Sequence, residues 1–108
     1  MSTQVGVFEL LVLMAAASVG DEAYGVRIRQ AVAASRGTDV SSGAVYTTLE
    51  RLEQRGFVVS RRGESTATRS GRPRRYYRLT KAGEAAVQAN YGALRDLARQ
   101  LHPRLMRR

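Results

Sequence analysis

Cysteine is missing from the 108 residues, and its absence excludes disulfides, thiolate nucleophiles and sulfur-ligated metals. Tryptophan is missing as well, so no indole is available to stack on a flat ligand. The single histidine, His102, stands beside Pro103 with no cysteine and no clustered acids around it. No metal set, nucleophile triad or phosphate loop can be assembled from what remains, so no catalytic residue, cofactor or metal is expected. Long hydrophobic runs are scarce. Leu10–Ala17 is the main one; Glu9 precedes it, no basic segment leads into it, and it is far shorter than the roughly 20 residues of a membrane span. It reads as a buried helix, in a chain expected to be cytoplasmic and not membrane-bound.

Acidic charge is also in short supply. Nine Asp and Glu face 18 Lys and Arg, a net charge of +9 that calls for a polyanionic partner. The excess is local. Residues 1–60 carry five arginines against six acids, whereas residues 61–81 carry seven arginines and Lys81 against Glu64 alone. Residues 82–108 add five arginines against Glu84 and Asp96. A basic stretch set inside a near-neutral chain points to a binding surface, not to general solubility. The length suits one domain with a modest core, of a size that often buries further surface by pairing.

Periodicity gives the order of elements. A first helix is predicted over 4–18, with Val5, Phe8, Val12 and Ala15 on one face and Val7, Leu11 and Met14 on another. A helix apolar on two sides needs two covers, its own core and a second subunit, unless it is the central helix of a monomer. Asp21 is a plausible cap for a second helix over about 22–35, with Tyr24, Ile28, Ala31 and Val32 inward and Gly37 as its stop. Thr38-Asp39-Val40 reads as a short extended piece able to pair with a hairpin. Ser41 or Ser42 then caps a third helix over about 42–55, whose Val45, Leu49 and Leu52 face inward. After Gly56, Phe57–Arg62 and Arg75–Leu79 read as two strands around the Ser-, Thr- and Gly-rich tip 63–70, with Pro73 in the approach to the second strand. Thr80 caps a last helix running from about Lys81 to Leu101. Val87, Asn90, Leu94, Leu97 and Leu101 step along it at helix-pairing intervals. Asn90 either sets register in that seam or faces solvent. Pro103 ends the helix, and Arg104–Arg108 reads as a frayed basic tail.

This order predicts a mainly α fold with a small β-hairpin: a winged helix-turn-helix over 1–80, joined to a long C-terminal dimerisation helix with a basic tail over 81–108, in one compact unit. A small-residue helix start beside a basic hairpin is the arrangement of a duplex-DNA reader. Ser41, Ser42, Gly43, Tyr46, Thr47, Thr48 and Arg51 are the candidate contacts from the third helix, although Tyr46 is nearly as well explained by packing. Arg61, Arg62, Arg69, Gly71, Arg72, Arg74 and Arg75 are the candidates from the hairpin. Gly71-Arg72-Pro73 is similar to the extended hooks that place an arginine in the minor groove, the alternative being a solvated basic turn. Strand alternation turns some of Arg74, Arg75 and Arg78 away from DNA.

Three blocks also carry a family likeness: Ala23-Tyr24-Gly25-Val26-Arg27-Ile28, Ser42–Glu53, and Gly71-Arg72-Pro73-Arg74-Arg75-Tyr76-Tyr77-Arg78-Leu79-Thr80-Lys81-Ala82-Gly83. In this order and spacing, over roughly residues 5–100, they resemble the PadR family of bacterial transcriptional regulators. Thr47 departs from the pattern, since many members have proline after the helix tyrosine. The single last helix resembles the short branch of the family, which implies a homodimer formed through the first and last helices. Val5, Phe8, Val12, Val87, Asn90, Leu94, Leu97 and Leu101 are the expected contacts. The resemblance implies a sequence-specific regulator, expected to repress from an inverted-repeat operator and to sit on the nucleoid. A non-specific architectural DNA- or RNA-binding protein is the competing reading of the same basic patch. A small-molecule effector between the apolar helices is a further possibility; the same residues equally make a dry interface.

Overall fold

The computed structural model describes residues 2–63 and 74–106. It contains α1 (Val7–Val19), a 3₁₀ turn (Gly20–Glu22), α2 (Gly25–Arg36), α3 (Ser42–Gln54), β1 (Val58–Arg62), β2 (Arg75–Leu79), α4 (Lys81–Ala98) and a terminal 3₁₀ turn (Pro103–Met106). Among the described residues, no helix is long and apolar enough to cross a membrane.

α1 runs through the middle because its sequence offers apolar residues on most sides. Leu10, Val12, Leu13, Ala15 and Ala16 are buried. Val12, Leu13, Ala15 and Ala16 meet Ile28 and Val32 of α2, Val45, Leu49 and Leu52 of α3, Val58 and Tyr77 of the hairpin, and Ala86 of α4 in one core. The helix starts at Val7, three residues later than the sequence pattern suggests. Residues 3–5 instead lie outside the helix and are held by Asn90: its amide donates to the Thr3 carbonyl at 2.7 Å, and its oxygen accepts from the Val5 N–H at 3.4 Å.

The cap of the second helix is a correction. Asp21 lies in the 3₁₀ turn, and α2 begins at Gly25 after Tyr24. Residues 23 and 24 cannot be helical because they pair with β2: the Tyr77 N–H donates to the Ala23 carbonyl at 2.9 Å, and Tyr24 forms a bridge with Tyr76. Thr38–Val40 forms no strand, so the third pairing partner of the hairpin comes from before α2, not after it. Gly37 ends α2 in the left-handed region at φ 71°.

Ser41 caps α3, its hydroxyl accepting from the Ala44 N–H at 3.0 Å. β1 and β2 pair antiparallel from Val58↔Leu79 to Arg62↔Arg75. Thr80 then ties the start of α4 back to the hairpin. Its hydroxyl accepts from the Gly83 N–H at 3.0 Å and donates to the Gly56 carbonyl at 2.6 Å. Gly83 must be glycine here, since a methyl group would overlap the Phe57 carbonyl. α4 stops at Ala98, earlier than expected, because Gln100 and Leu101 bond only three residues back. Residues 103–106 wind into a 3₁₀ turn, not a frayed tail.

Candidate nucleic-acid interface

α3 divides cleanly by face. Val45, Thr48, Leu49 and Leu52 recur at helical spacing and are buried. Ser41, Ser42, Gly43, Thr47, Glu50 and Arg51 are exposed, and the space around a side chain at Gly43 would be open. Thr48 therefore leaves the set of candidate DNA contacts: only 5% of it is accessible, because it lies three residues after Val45 on the packed side. Tyr46 combines both of its expected roles. It is half exposed, yet its ring and hydroxyl lie so close over Gly25 that a methyl there would overlap them. That contact joins α3 to the first turn of α2. Glu50, which is not among the candidate contacts named from the sequence, shares the exposed face with Thr47 and Arg51 and can accept from a cytosine amino group.

The hairpin sorts its arginines by strand alternation. Arg75 points toward the end of α3, where its guanidinium donates to the Ser60 hydroxyl at 2.9 Å. Ser60 in turn donates to Glu53 through its hydroxyl at 2.8 Å and its N–H at 3.2 Å. Arg62 is exposed opposite Arg75. Arg61 and Arg74 are directed to the other face. Arg61 stacks over the Tyr76 ring at 4.7 Å, and Arg74 over the Tyr24 ring at 4.2 Å. The two rings meet edge to face at 5.6 Å. Sequence reasoning assigned Tyr24 to a helix core and gave Tyr76 no role. The register signal was available, since a symmetric hairpin sets Arg61 across from Tyr76. Arg69, Gly71 and Arg72, with the proposed minor-groove hook, lie outside the described residues.

Charge pairing divides the described arginines into two groups. Among the described residues, Arg27, Arg29, Arg55, Arg95 and Arg99 form ion pairs, with Glu22, Asp39, Glu9 and Asp96. Arg36, Arg78 and Arg104, outside the candidate interface, form none there, and neither do Arg51, Arg61, Arg62, Arg74 and Arg75. Beneath them, burial raises the Tyr77 pKa above its ordinary value; nearby Arg75 opposes the rise, and Glu53, Tyr46 and Glu50 add to it. The phenol therefore stays neutral at the base of the hairpin.

The expected dimer contacts fall into two groups. Val12 is wholly buried in its own core, and Val5, Phe8 and Val87 are half-buried against that core. Phe8 is also covered by the Arg36 guanidinium at 5.8 Å. Asn90 is half-buried, and its amide holds the N-terminal segment of the same chain. Val12 is accordingly corrected to an intramolecular role. Leu94, Leu97 and Leu101 remain, exposed by 51, 64 and 46%, with Tyr91 alongside. A groove of about 550 Å³ lies elsewhere, between the end of α1 and the hairpin, lined by Ala16, Gly20, Asp21, Arg61, Tyr76 and Glu84 among others.

The model of the transcriptional regulator PadR-like family matches residues 12–89. The chain belongs to this family. Its members are transcriptional regulators and not enzymes. The PadR-like chain is 40% identical over 81 residues to the transcriptional regulator Rv3488 of Mycobacterium tuberculosis, covering 75% of this chain and 71% of that one. It superposes on a PadR-like transcription factor from Bacteroides fragilis with a TM-score of 0.70 and 26% identity, over 88% of this chain and 86% of the other. It also shares its fold with Bacillus subtilis PadR, solved in complex with operator DNA; the TM-score is 0.60 at 16% identity, over 77% of this chain and 45% of that one. These likenesses establish the winged-helix architecture with its long C-terminal helix.

Proposed function

We propose that the protein is a sequence-specific regulator that binds double-stranded DNA as a homodimer and represses from an inverted-repeat operator. The observation that carries this reading is the exposed polar face of α3 beside hairpin arginines that have no acidic partner among the described residues. In the proposed complex α3 enters the major groove. Ser42, Thr47 and Arg51 meet base edges or phosphates, Gly43 admits a close backbone approach, and the Tyr46 hydroxyl reaches a phosphate. The hairpin arginines supply affinity that is strongly salt-dependent. Operator DNA bound by Bacillus subtilis PadR supports a duplex as the ligand.

Residues 1–80 act as the reading unit and residues 81–108 as the pairing element. Pairing is supported by Tyr91, Leu94 and Leu97 on α4 and Leu101 just beyond it, which leave an apolar strip that one subunit does not cover. A twofold dimer sets its recognition helices about 34 Å apart, one turn of duplex, and so reads an inverted repeat. Occupying such a site over a promoter blocks polymerase. Selection from a random duplex pool, followed by competition, tests the proposal. A recovered palindromic sequence retained against excess random duplex is expected. Equal displacement by random DNA or by RNA would sink it in favour of non-specific binding.

A further inference from the structure

We propose that Tyr24 is a positioning residue for DNA binding: with Tyr76 it forms an aromatic pair that holds the Arg61 and Arg74 guanidinium groups in place for phosphates. The inference rests on the DNA-binding reading and deepens it. Four observations converge on one spot. The rings pack edge to face at 5.6 Å with their planes 73° apart. Arg74 lies over Tyr24 at 4.2 Å and Arg61 over Tyr76 at 4.7 Å, so each ring carries one cation. The backbone beneath is fixed by the Tyr24–Tyr76 bridge and by the Tyr77 N–H donating to the Ala23 carbonyl at 2.9 Å. Neither arginine has an acidic partner among the described residues.

A guanidinium attracted to a ring face spends its plane on the ring and keeps its edge N–H groups for an acceptor. An ion pair in the same place would spend those N–H groups and cancel the charge. Two long side chains that are already ordered lose less rotamer freedom when they meet phosphate. The pair also joins two elements that approach the duplex separately, the start of α2 and the hairpin. Tyr24 thereby acts on DNA through Arg74 and the hairpin, without itself reading a base.

The test compares full-length variants on the duplex recovered by selection, across a series of salt concentrations. Arg74→Ala is expected to weaken binding about tenfold and to lower the salt slope by about one unit. Tyr24→Leu is expected to weaken it about fivefold, and adding it to Arg74→Ala should cost less than the product of the two single effects. Tyr24→Phe should restore the affinity lost in Tyr24→Leu, because the ring face and not the hydroxyl does the holding. Arg74→Lys should fall nearly as far as Arg74→Ala, since it keeps charge but not the planar stack. Multiplying effects in the double variant, or a Tyr24→Phe as weak as Tyr24→Leu, would overturn the inference. If Tyr24→Leu does not fold, Tyr24→Phe and Arg74→Lys carry the comparison. A DNA-free readout separates the two levels of the argument: the Arg74 side-chain proton resonances should be ring-shifted in wild type and in Tyr24→Phe. Unshifted resonances in a protein that still selects DNA overturn this inference alone, whereas failure to bind any duplex overturns the functional reading and this one together.

Discussion

α3 and the C-terminal half of α4 are both amphipathic helical surfaces left uncovered by the single chain, and their open faces differ in kind. That of α3 is small, hydroxylated and charged: Ser42, Gly43, Thr47, Glu50 and Arg51. That of α4 is apolar: Tyr91, Leu94 and Leu97, with Leu101 just beyond the helix end. Short polar groups gain only from a partner that presents hydrogen-bonding edges, whereas leucines gain only from being taken out of water. The same helical periodicity thus serves two unlike partners, and the chemistry of the open face, not the amphipathicity, tells them apart.

The largest way to break this comparison is to make the face of α4 resemble that of α3. Leu94→Glu with Leu97→Glu should yield a monomer in sedimentation equilibrium. Affinity for a two-half-site operator should fall about 100-fold or more, because the half-sites would be bound independently. A dimer that survives both substitutions would move the interface elsewhere. On α3, Arg51→Ala should cost about 1–3 kcal/mol of discrimination at one base position if the guanidinium reads guanine. Repeating the selection with the variant checks it, and an unchanged sequence preference would assign Arg51 to phosphate.

Two adjacent threonines sharpen the division within α3 itself. Thr48→Ala should lower unfolding stability by about 1 kcal/mol and leave the selected sequence alone, since the residue is buried. Thr47→Ala should change stability by no more than about 0.5 kcal/mol and alter the selected sequence instead. Thermal melts and parallel selections on the pair would reveal any exchange of those roles. The smallest effect lies under the hairpin. Tyr77 has a raised pKa in the fold, so its ordinary value of 10.0 is met first in the unfolded chain. Stability should hold below that pH and decline as pH rises through the folded value, and Tyr77→Phe should flatten the decline in alkaline denaturation curves.

Much of the fold was legible because its signals are local. Ser41 and Thr80 have hydroxyls placed to cap helices, Gly37 sits where a left-handed stop is needed, and Arg75–Leu79 alternates as a strand must. The failures share a non-local cause. Asp21 is a good cap by residue type, but the bridge between Tyr24 and Tyr76, 52 positions apart, holds the chain extended past it. The hold of Asn90 on the N-terminal segment was hidden because Thr3 and Val5 lie 87 and 85 positions away. Thr48 is the exception. Its spacing from Val45 and Leu52 already put it inside, and its hydroxyl outweighed the periodicity. In the candidate interface, the arginines were evident from charge alone, while the rings that hold two of them became apparent only with the register of the hairpin.

The missing side chain at Gly83 has a mechanical consequence. α4 rests there directly on the Phe57 carbonyl, and the part of the helix beyond that fulcrum, at about 1.5 Å per residue, forms an arm about 22 Å long. Each 5° of tilt at the fulcrum would swing the far end by about 2 Å, enough to spoil the spacing of paired reading heads on a duplex. Backbone set against backbone leaves little room for such a swing, so the reach of the molecule is fixed where the arm begins.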